Sequence, residues 1–302
     1  MKDIRLTLVQ MRSTVGDIRS NLDRMASFIS STDSDIICFP EMCLSGYTTS
    51  DPDAYALDPE DPAVSRVRDL SDETDTAIVF GFMERNPTGR PFLRQEIAGC
   101  SSNIGHYRKT HLGQNESKVF QPGDSLPVFS VKGITIGLQL CIESHIPDIS
   151  QSYRSKGAEL ILMPFANGNS GDRRRSVWYS YLPARASDNG LFVAATSAVG
   201  DNGLGIVFGG GMIALGPKGD TIEEYYGTDE HSITVDIGGK LPRDGPETMS
   251  NISYFDRRRP ELYRSRALGV VIHTAVHEIL QDLEPLDVYV VDVIGTFYTA
   301  VH

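Results

Sequence analysis

The chain has 302 residues, of which 40% are hydrophobic, and a formal net charge of −12. This length and apolar content allow one large α/β domain or two smaller ones, and we favour one because strands and helices alternate without a long linker. So acidic a chain is not expected to bind the phosphates of nucleic acid. The first residues lack the apolar core of a signal peptide and no apolar run is long enough to span a bilayer, so we expect a cytoplasmic protein without membrane contact.

Along the chain, segments with the hydrophobic periodicity of a strand alternate with segments that have the periodicity of a helix. The predicted strands cover residues 4–10, 35–39, 77–82, 104–109, 134–140, 159–163, 191–195, 212–215 and 232–237. The predicted helices contain Leu22 to Ile29, Val64 to Leu70, residues 149–155, and one helix with Val177, Tyr181 and Arg185. This alternation is typical of an α/β fold.

Three predicted strands end at residues with reactive side chains. Glu41 follows the second strand, Lys109 ends the fourth, and Cys141 follows the fifth. Open α/β sheets place their chemistry at the carboxyl ends of the strands. A cysteine at such an end, followed by Glu143 and His145, is a candidate nucleophile.

Short motifs surround these three residues and extend beyond them. They are Phe39-Pro40-Glu41 with Ser45-Gly46-Tyr47, Tyr107 to Leu112, Glu116 with Phe120 and Gly123, Gly137 to Cys141 with Glu143 and Pro147-Asp148, Arg185-Ala186 with Asn189, and Arg258 to Tyr263. In this order they resemble the motifs of the nitrilase superfamily, the carbon-nitrogen hydrolases. The resemblance implies a four-layer α-β-β-α sandwich and an assembly of at least a homodimer.

The resemblance also implies catalytic roles. An ordinary thiol is mostly protonated at neutral pH and needs a base, and Glu41 would be the base for Cys141. Lys109 would stabilise the oxyanion together with a backbone N–H near Ile142, and Glu116 would orient Lys109 or the substrate amine. Attack would expel ammonia or an amine and leave a thioester, which water hydrolyses to the acid.

The expected substrate is a small or medium primary amide. The predicted substrate-binding residues are Tyr47, Ile142, Glu143, His145, Phe165 and Asn167. Typical nitrilases carry tryptophan where this chain has Ile142, and carbamoylases tend to have a more basic stretch where it has Ser144-His145. A nitrilase and an N-carbamoyl amide hydrolase are the alternatives on the same scaffold.

Other interpretations concern histidines and arginines. His145 would permit a Cys–His pair of the cysteine-protease kind, or it supports the turn after the cysteine. His273 and His277 have a spacing used by metal ligands but lack the glutamate of HExxH, so we expect no metal and no cofactor. Arg173 to Arg175 is either a carboxylate-recognition site or a solvated helix start. A non-catalytic binding subunit is expected to lack Glu41, Lys109 or Cys141, and all three are present.

The motifs divide the chain into two parts. Residues 1–264 are predicted to form the carbon-nitrogen hydrolase domain, and residues 265–302 form a C-terminal extension that the motifs do not cover. Apolar segments in this extension predict a helix and a strand. We expect it to pack on a partner subunit of a homodimer or larger homo-oligomer.

Overall fold

The computed structural model of the protein describes residues 1–99, 102–239, 241 and 253–263. The strands are β1 Ile4–Gln10, β2 Ile36–Cys38, β3 Ala77–Glu84, β4 Phe92–Gly99, β5 Ser102–Arg108, β6 Val128–Val131, β7 Ile134–Leu138, β8 Leu160–Phe165, β9 Phe192–Ser197, β10 Val199–Asp201, β11 Val207–Gly209, β12 Met212–Leu215, β13 Thr221–Tyr225 and β14 His231–Ile237. The helices are α1 Ile18–Ser31, α2 Pro62–Thr74, α3 Glu116–Val119, α4 Pro147–Ser155, α5 Gly171–Tyr179, α6 Leu182–Asn189 and α7 Pro260–Tyr263.

Most of these strands form two six-stranded sheets. The first has the order β14-β1-β2-β3-β4-β5 and the second has the order β13-β12-β9-β8-β7-β6, while β10 and β11 form a separate pair. In the first sheet β1, β2 and β3 are parallel, and in the second β7, β8 and β9 are parallel. The remaining neighbours are antiparallel.

Three apolar layers hold the sheets and helices together. Leu6 of β1 and Ile136 of β7 belong to one buried cluster between the two sheets. Met25 and Val64 pack helices α1 and α2 on the outer face of the first sheet, and Trp178 belongs to the cluster that packs α4, α5 and α6 on the second. This is the predicted four-layer α-β-β-α sandwich.

The topology brings three reactive strand ends to one edge of the sandwich. In the first sheet β5 has the same direction as β2, because β4 is antiparallel to both β3 and β5. Across the sandwich, the hydroxyl of Thr196 near the end of β9 donates to the carbonyl of Val9 near the end of β1. The carboxyl ends of β2, β5 and β7 therefore share one edge, which explains how Glu41, Lys109 and Cys141 can converge.

The structure adds elements that the hydrophobic period did not predict. Strand β4 is buried along its whole length although it contains Arg94 and Glu96, whose side chains pair at 2.7 Å. These charges can be buried because they neutralise each other. In the sequence, however, they interrupt the apolar residues of the strand, so the hydrophobic pattern does not reveal it. The single helix predicted through Val177 and Arg185 is two helices. Helix α5 ends at Tyr179 and α6 begins at Leu182, and Pro183 is the second residue of α6, where the N–H that proline lacks is not needed.

The unit Met1–Asp256 contains both sheets. Of the unit Arg257–His302, only residues 257–263 are described, and these include α7. The predicted extension 265–302, with His273 and His277, lies outside the described residues, so its helix, its strand and its packing on a partner stay predictions. Among the residues that are described, no helix has the length and apolarity to cross a membrane.

Candidate active site

A buried lysine lies between two glutamates at the shared sheet edge. Lys109 follows β5, and its Nζ donates to Oε1 of Glu41 and to Oε1 of Glu116, each at 2.8 Å. Glu116 Oε1 also accepts from the hydroxyl of Tyr47 at 3.0 Å, and its Oε2 accepts from the backbone N–H of Gly113 at 2.6 Å. Because the lysine is fully buried, these two carboxylates balance a charge that water cannot reach.

The chain turns sharply after Glu41. Met42 has a φ of +54°, in the left-handed region that is unfavourable for a side chain of its size. The turn passes close to Gly81 of β3, where an added Cβ would lie 2.6 Å from the amide nitrogen of Met42. A glycine is thus required at position 81 for the Glu41 segment to follow this path.

Cys141 also occupies a left-handed position, with a φ of +45°. It follows β7 and begins the 3-10 turn Cys141–His145, and its side chain is half-buried. The carbonyl of Cys141 accepts from the hydroxyl of Ser144 at 2.6 Å, and the carbonyl of Leu140 accepts from the N–H of Glu143 at 3.0 Å. Strained backbone of this kind, held by its surroundings, is frequent at active sites.

Glu143 connects the cysteine turn to the segment after Lys109. Its Oε1 accepts from Tyr107, from the backbone N–H and hydroxyl of Thr110, and from the N–H of His111, at 2.5 to 3.0 Å. Its Oε2 accepts from the N–H of Leu140 at 2.8 Å. The side chain is fully buried, so the structure places Glu143 in a framework position instead of the predicted contact with substrate.

Electrostatics link Glu41 and Cys141. Burial raises the pKa of Glu41 to about 7, helped by the negative charges of Glu116 and Glu143 and opposed by Lys109. Burial and the charge of Glu41 raise the pKa of Cys141 to about 12, while Lys109 and a backbone hydrogen bond with Ala166 act in the opposite direction. A carboxyl with a pKa near neutrality is suited to general base catalysis.

Lys109 stays cationic in this environment. Burial lowers its pKa, but the charges of Glu41, Cys141 and Glu116 outweigh burial and raise the pKa well above its ordinary value. Oε2 of Glu41 is buried and has no hydrogen-bond partner among the described residues. The cluster therefore offers a fixed cation and a carboxylate oxygen that is available to accept a proton.

Three of the predicted substrate-binding residues lie near the polar cluster or the cysteine turn. Tyr47 bonds to Glu116, and its ring contacts Phe208 edge-on at 5.9 Å. Ile142, directly after Cys141, is 40% exposed. The ring of His145 lies 4.1 Å from that of Tyr181, and no hydrogen bond joins it to the cysteine in the described structure, so the Cys–His alternative gains no support.

The other two predicted substrate-binding residues have structural contacts. Phe165 is only 2% exposed and its ring lies 5.1 Å from that of Trp178, in the layer between the second sheet and its helices. The structure therefore places Phe165 in the core rather than on a binding surface. Asn167 is half-buried, and its side chain accepts from the N–H of Asn169 at 2.8 Å.

The sequence singled out Arg185 and Arg174 but did not predict their contacts. Arg185 donates to the carbonyls of Ser144 and His145 at 2.9 and 3.2 Å and so holds the cysteine turn. Arg174 is 1% exposed, which contradicts the interpretation of the whole arginine run as a solvated helix start. The contacts of Arg185 have no short-range sequence signal, because Ser144 and His145 lie about forty residues earlier in the chain. No cluster of three metal-ligating side chains occurs among the described residues.

A family model described as carbon-nitrogen hydrolase matches residues 5–240. The chain belongs to the carbon-nitrogen hydrolase family. An (R)-stereoselective amidase of a Pseudomonas species is 32% identical over 240 residues, which cover 78% of this chain and 85% of that protein. A human omega-amidase is 26% identical over 278 residues, covering 87% of this chain and 98% of that protein.

Solved structures agree with this carbon-nitrogen hydrolase assignment. A cysteine-to-alanine mutant of the amidase from Nesterenkonia sp. AN1, in complex with butyramide, has a TM-score of 0.73 and 29% identity, covering 86% of this chain and 96% of that chain. A glutamate mutant of the same amidase shows covalent addition of the acetamide moiety of fluoroacetamide at its active-site cysteine, with the same TM-score of 0.73. The predicted family and fold are confirmed, and the individual residue roles stay predictions.

Proposed function

We propose that this carbon-nitrogen hydrolase is an amidase that cleaves a small amide through a thioester on Cys141. The observation that carries the proposal is the buried Lys109 held by Glu41 and Glu116. One oxygen of Glu41 has no hydrogen-bond partner among the described residues, and the charges of this cluster influence the pKa of Cys141. The amidases among its relatives support the same reaction class.

The first half-reaction forms the thioester. The pKa of Cys141 lies well above that of Glu41, so proton transfer to Glu41 accompanies attack of the sulfur on the carbonyl carbon. The oxygen that becomes negative is stabilised by the Lys109 ammonium, which is fixed before the reaction begins. When the C–N bond breaks, the protonated Glu41 gives its proton to the leaving ammonia or amine.

The second half-reaction restores the enzyme. Glu41, again a carboxylate, takes a proton from water as the water oxygen attacks the thioester. Collapse of the second tetrahedral intermediate breaks the C–S bond, releases the carboxylic acid, and returns the proton from Glu41 to the Cys141 sulfur. Glu116 keeps Lys109 in place through both steps, because their contact does not depend on the protonation of Glu41.

A small amide is the substrate class that we propose. The amidase of known structure binds butyramide, and the residue after the nucleophile here is the exposed Ile142 in place of the nitrilase tryptophan. A nitrile and an N-carbamoyl amide are the alternatives on this scaffold. We also propose that the protein is cytoplasmic and at least a homodimer. If residues 265–302 pack on a partner subunit, their removal should lower the number of subunits per particle, as calculated from the mass measured by light scattering.

Ammonia release tests the activity directly. Butyramide, butyronitrile and an N-carbamoyl amino acid are offered in parallel to the wild type and to Cys141→Ala. We expect ammonia from butyramide with the wild type only, together with an acyl adduct on Cys141 in the intact mass after an acid quench. Equal hydrolysis by Cys141→Ala would refute the thioester mechanism, and faster consumption of the nitrile would favour a nitrilase.

A second pair of variants separates the lysine-dependent mechanism from a Cys–His mechanism. Lys109→Met removes the fixed cation, so we expect loss of amide hydrolysis, whereas His145→Ala should retain it. The reverse pattern, with activity lost in His145→Ala and kept in Lys109→Met, would contradict the proposed roles.

A further inference from the structure

The hairpin of β10 and β11 contacts the lysine side of the candidate active site. Phe208 of β11 is 4% exposed, and its ring lies edge-on to that of Tyr47 at 5.9 Å. The hydroxyl of the same Tyr47 donates to Glu116 at 3.0 Å, and Glu116 accepts from Lys109 at 2.8 Å. A single tyrosine side chain therefore joins the hairpin to the buried lysine cluster.

The same strand also contacts the cysteine side. The N–H of Gly209 donates to the carbonyl of Asn167 at 3.1 Å, and a Cβ at Gly209 would have no room against the carbonyl of Asn169. Ala166, which precedes Asn167, forms a backbone hydrogen bond with Cys141. Successive residues of β11 thus reach the two sides of the site, so the hairpin borders the space where they converge.

Asn202 fixes the hairpin relative to Tyr47. It is fully buried, and its Nδ2 donates to the carbonyl of Tyr47 at 3.0 Å. Its Oδ1 accepts from the N–H groups of Leu204 and Ile206 at 2.9 and 3.0 Å, and its own carbonyl accepts from the N–H of Val15 at 2.9 Å. The hairpin is therefore held in place before any substrate binds, which lowers the cost of ordering it on binding.

This fixed hairpin exposes apolar side chains. Leu204 is 51% exposed, Ile206 38% and Val207 62%. Ile206 continues the pairing of the two strands, because its carbonyl accepts from the N–H of Asn202 at 2.9 Å. Alternate residues of a strand share a face, so Ile206 lies on the face of Phe208 and Val207 on the opposite face. Apolar surface beside a few fixed polar groups is typical of the walls of ligand pockets.

The chemistry of the substrate indicates what such a wall would contact. A primary amide carries only an NH2 group as its leaving group, so the acyl group is the one part that extends beyond the reacting atoms. After the C–N bond breaks, only this acyl group stays bound, as the thioester on Cys141. An apolar wall at the border of the site would therefore contact the acyl chain in both half-reactions.

We propose that the β10–β11 hairpin is a wall of the substrate pocket, that Ile206 contacts the acyl chain, and that the substrate is a primary amide with an extended apolar acyl group. Phe208 and Asn202 hold this wall against Tyr47. The inference rests on the proposed amidase function and specifies its substrate class.

The test compares hexanamide with acetamide in the wild type, in Ile206→Ala and in the matched control Val207→Ala, by ammonia release. The wild type should have the higher kcat/KM for hexanamide. In Ile206→Ala the ratio of the two kcat/KM values should fall about tenfold, at the low end for one aliphatic contact in a pocket, because Ile206 is partly exposed. Val207→Ala removes a similar side chain from the opposite face and should keep the wild-type ratio.

Binding gives the same comparison without turnover. In the Cys141→Ala background, the Kd of hexanamide measured by calorimetry should rise about tenfold on adding Ile206→Ala and stay unchanged on adding Val207→Ala. This measurement separates failure of the inference from failure of the proposed amidase activity.

An unchanged ratio and an unchanged Kd in Ile206→Ala would overturn the proposal, and so would an equal effect of Val207→Ala. Light scattering addresses the other use of an exposed apolar hairpin. If both substitutions lower the number of subunits per particle and leave the hexanamide preference unchanged, the hairpin belongs to a subunit interface and the proposal is wrong.

Discussion

Replacement of Glu143 by glutamine tests whether one buried carboxylate holds the site together. The carboxylate accepts hydrogen bonds from Tyr107, Thr110 and His111 on one oxygen and from Leu140 on the other. A glutamine oxygen can still accept the first group, but its NH2 group would face the N–H of Leu140. One charge-assisted hydrogen bond is lost and two donors oppose each other, which should lower the free energy of unfolding by about 2–4 kcal/mol.

The same substitution should reduce catalysis. Thr110 and His111 directly follow Lys109, and Leu140 precedes Cys141, so loosening this connection displaces cation and nucleophile relative to each other. A displacement of about 1 Å costs about a hundredfold in rate, and we expect kcat to fall about 10- to 100-fold with a smaller change in KM.

The stability of Glu143→Gln is measured by urea unfolding monitored by fluorescence, and its kcat is measured by steady-state kinetics with butyramide. Glu223→Gln is the matched control, because Glu223 is an exposed glutamate of β13, and its unfolding midpoint and kcat should equal those of the wild type. A wild-type midpoint together with a wild-type kcat in Glu143→Gln would refute the connecting role of this carboxylate.

Three further predictions concern the polar cluster. Burial raises the pKa of Glu41 to about 7, so kcat/KM should rise with pH through about 7. Glu41→Gln should remove activity. Its urea midpoint should also lack the decrease that the wild type shows as pH rises from the ordinary carboxyl range through about 7, because glutamine does not titrate. Tyr47→Phe removes the 3.0 Å hydrogen bond to Glu116 and should lower kcat about 3- to 10-fold in steady-state kinetics, and an unchanged kcat would contradict this. Gly81→Ala would place a Cβ 2.6 Å from the nitrogen of Met42, so its urea midpoint should fall, and a wild-type midpoint would show that the Glu41 turn adapts.

Local patterns were sufficient for much of the framework. Strand β1 coincides with the predicted residues 4–10, and Val64, Val67 and Leu70 are all buried on α2 as their spacing predicts. Strand β4 was not predicted because the hydrophobic pattern treats Arg94 and Glu96 as two exposed charges. In the structure the two side chains form a buried ion pair.

The sequence by itself determined the family, the α/β class, and the strand ends that carry Glu41, Lys109 and Cys141, because motifs and periodicity are local properties of the chain. The tertiary structure decided which of the nearby polar residues face each other. It placed Glu143 in the framework, Phe165 in the core, and Arg174 in a buried position. Burial and charge pairing arise only when distant segments pack together, and for that reason no local pattern reports them.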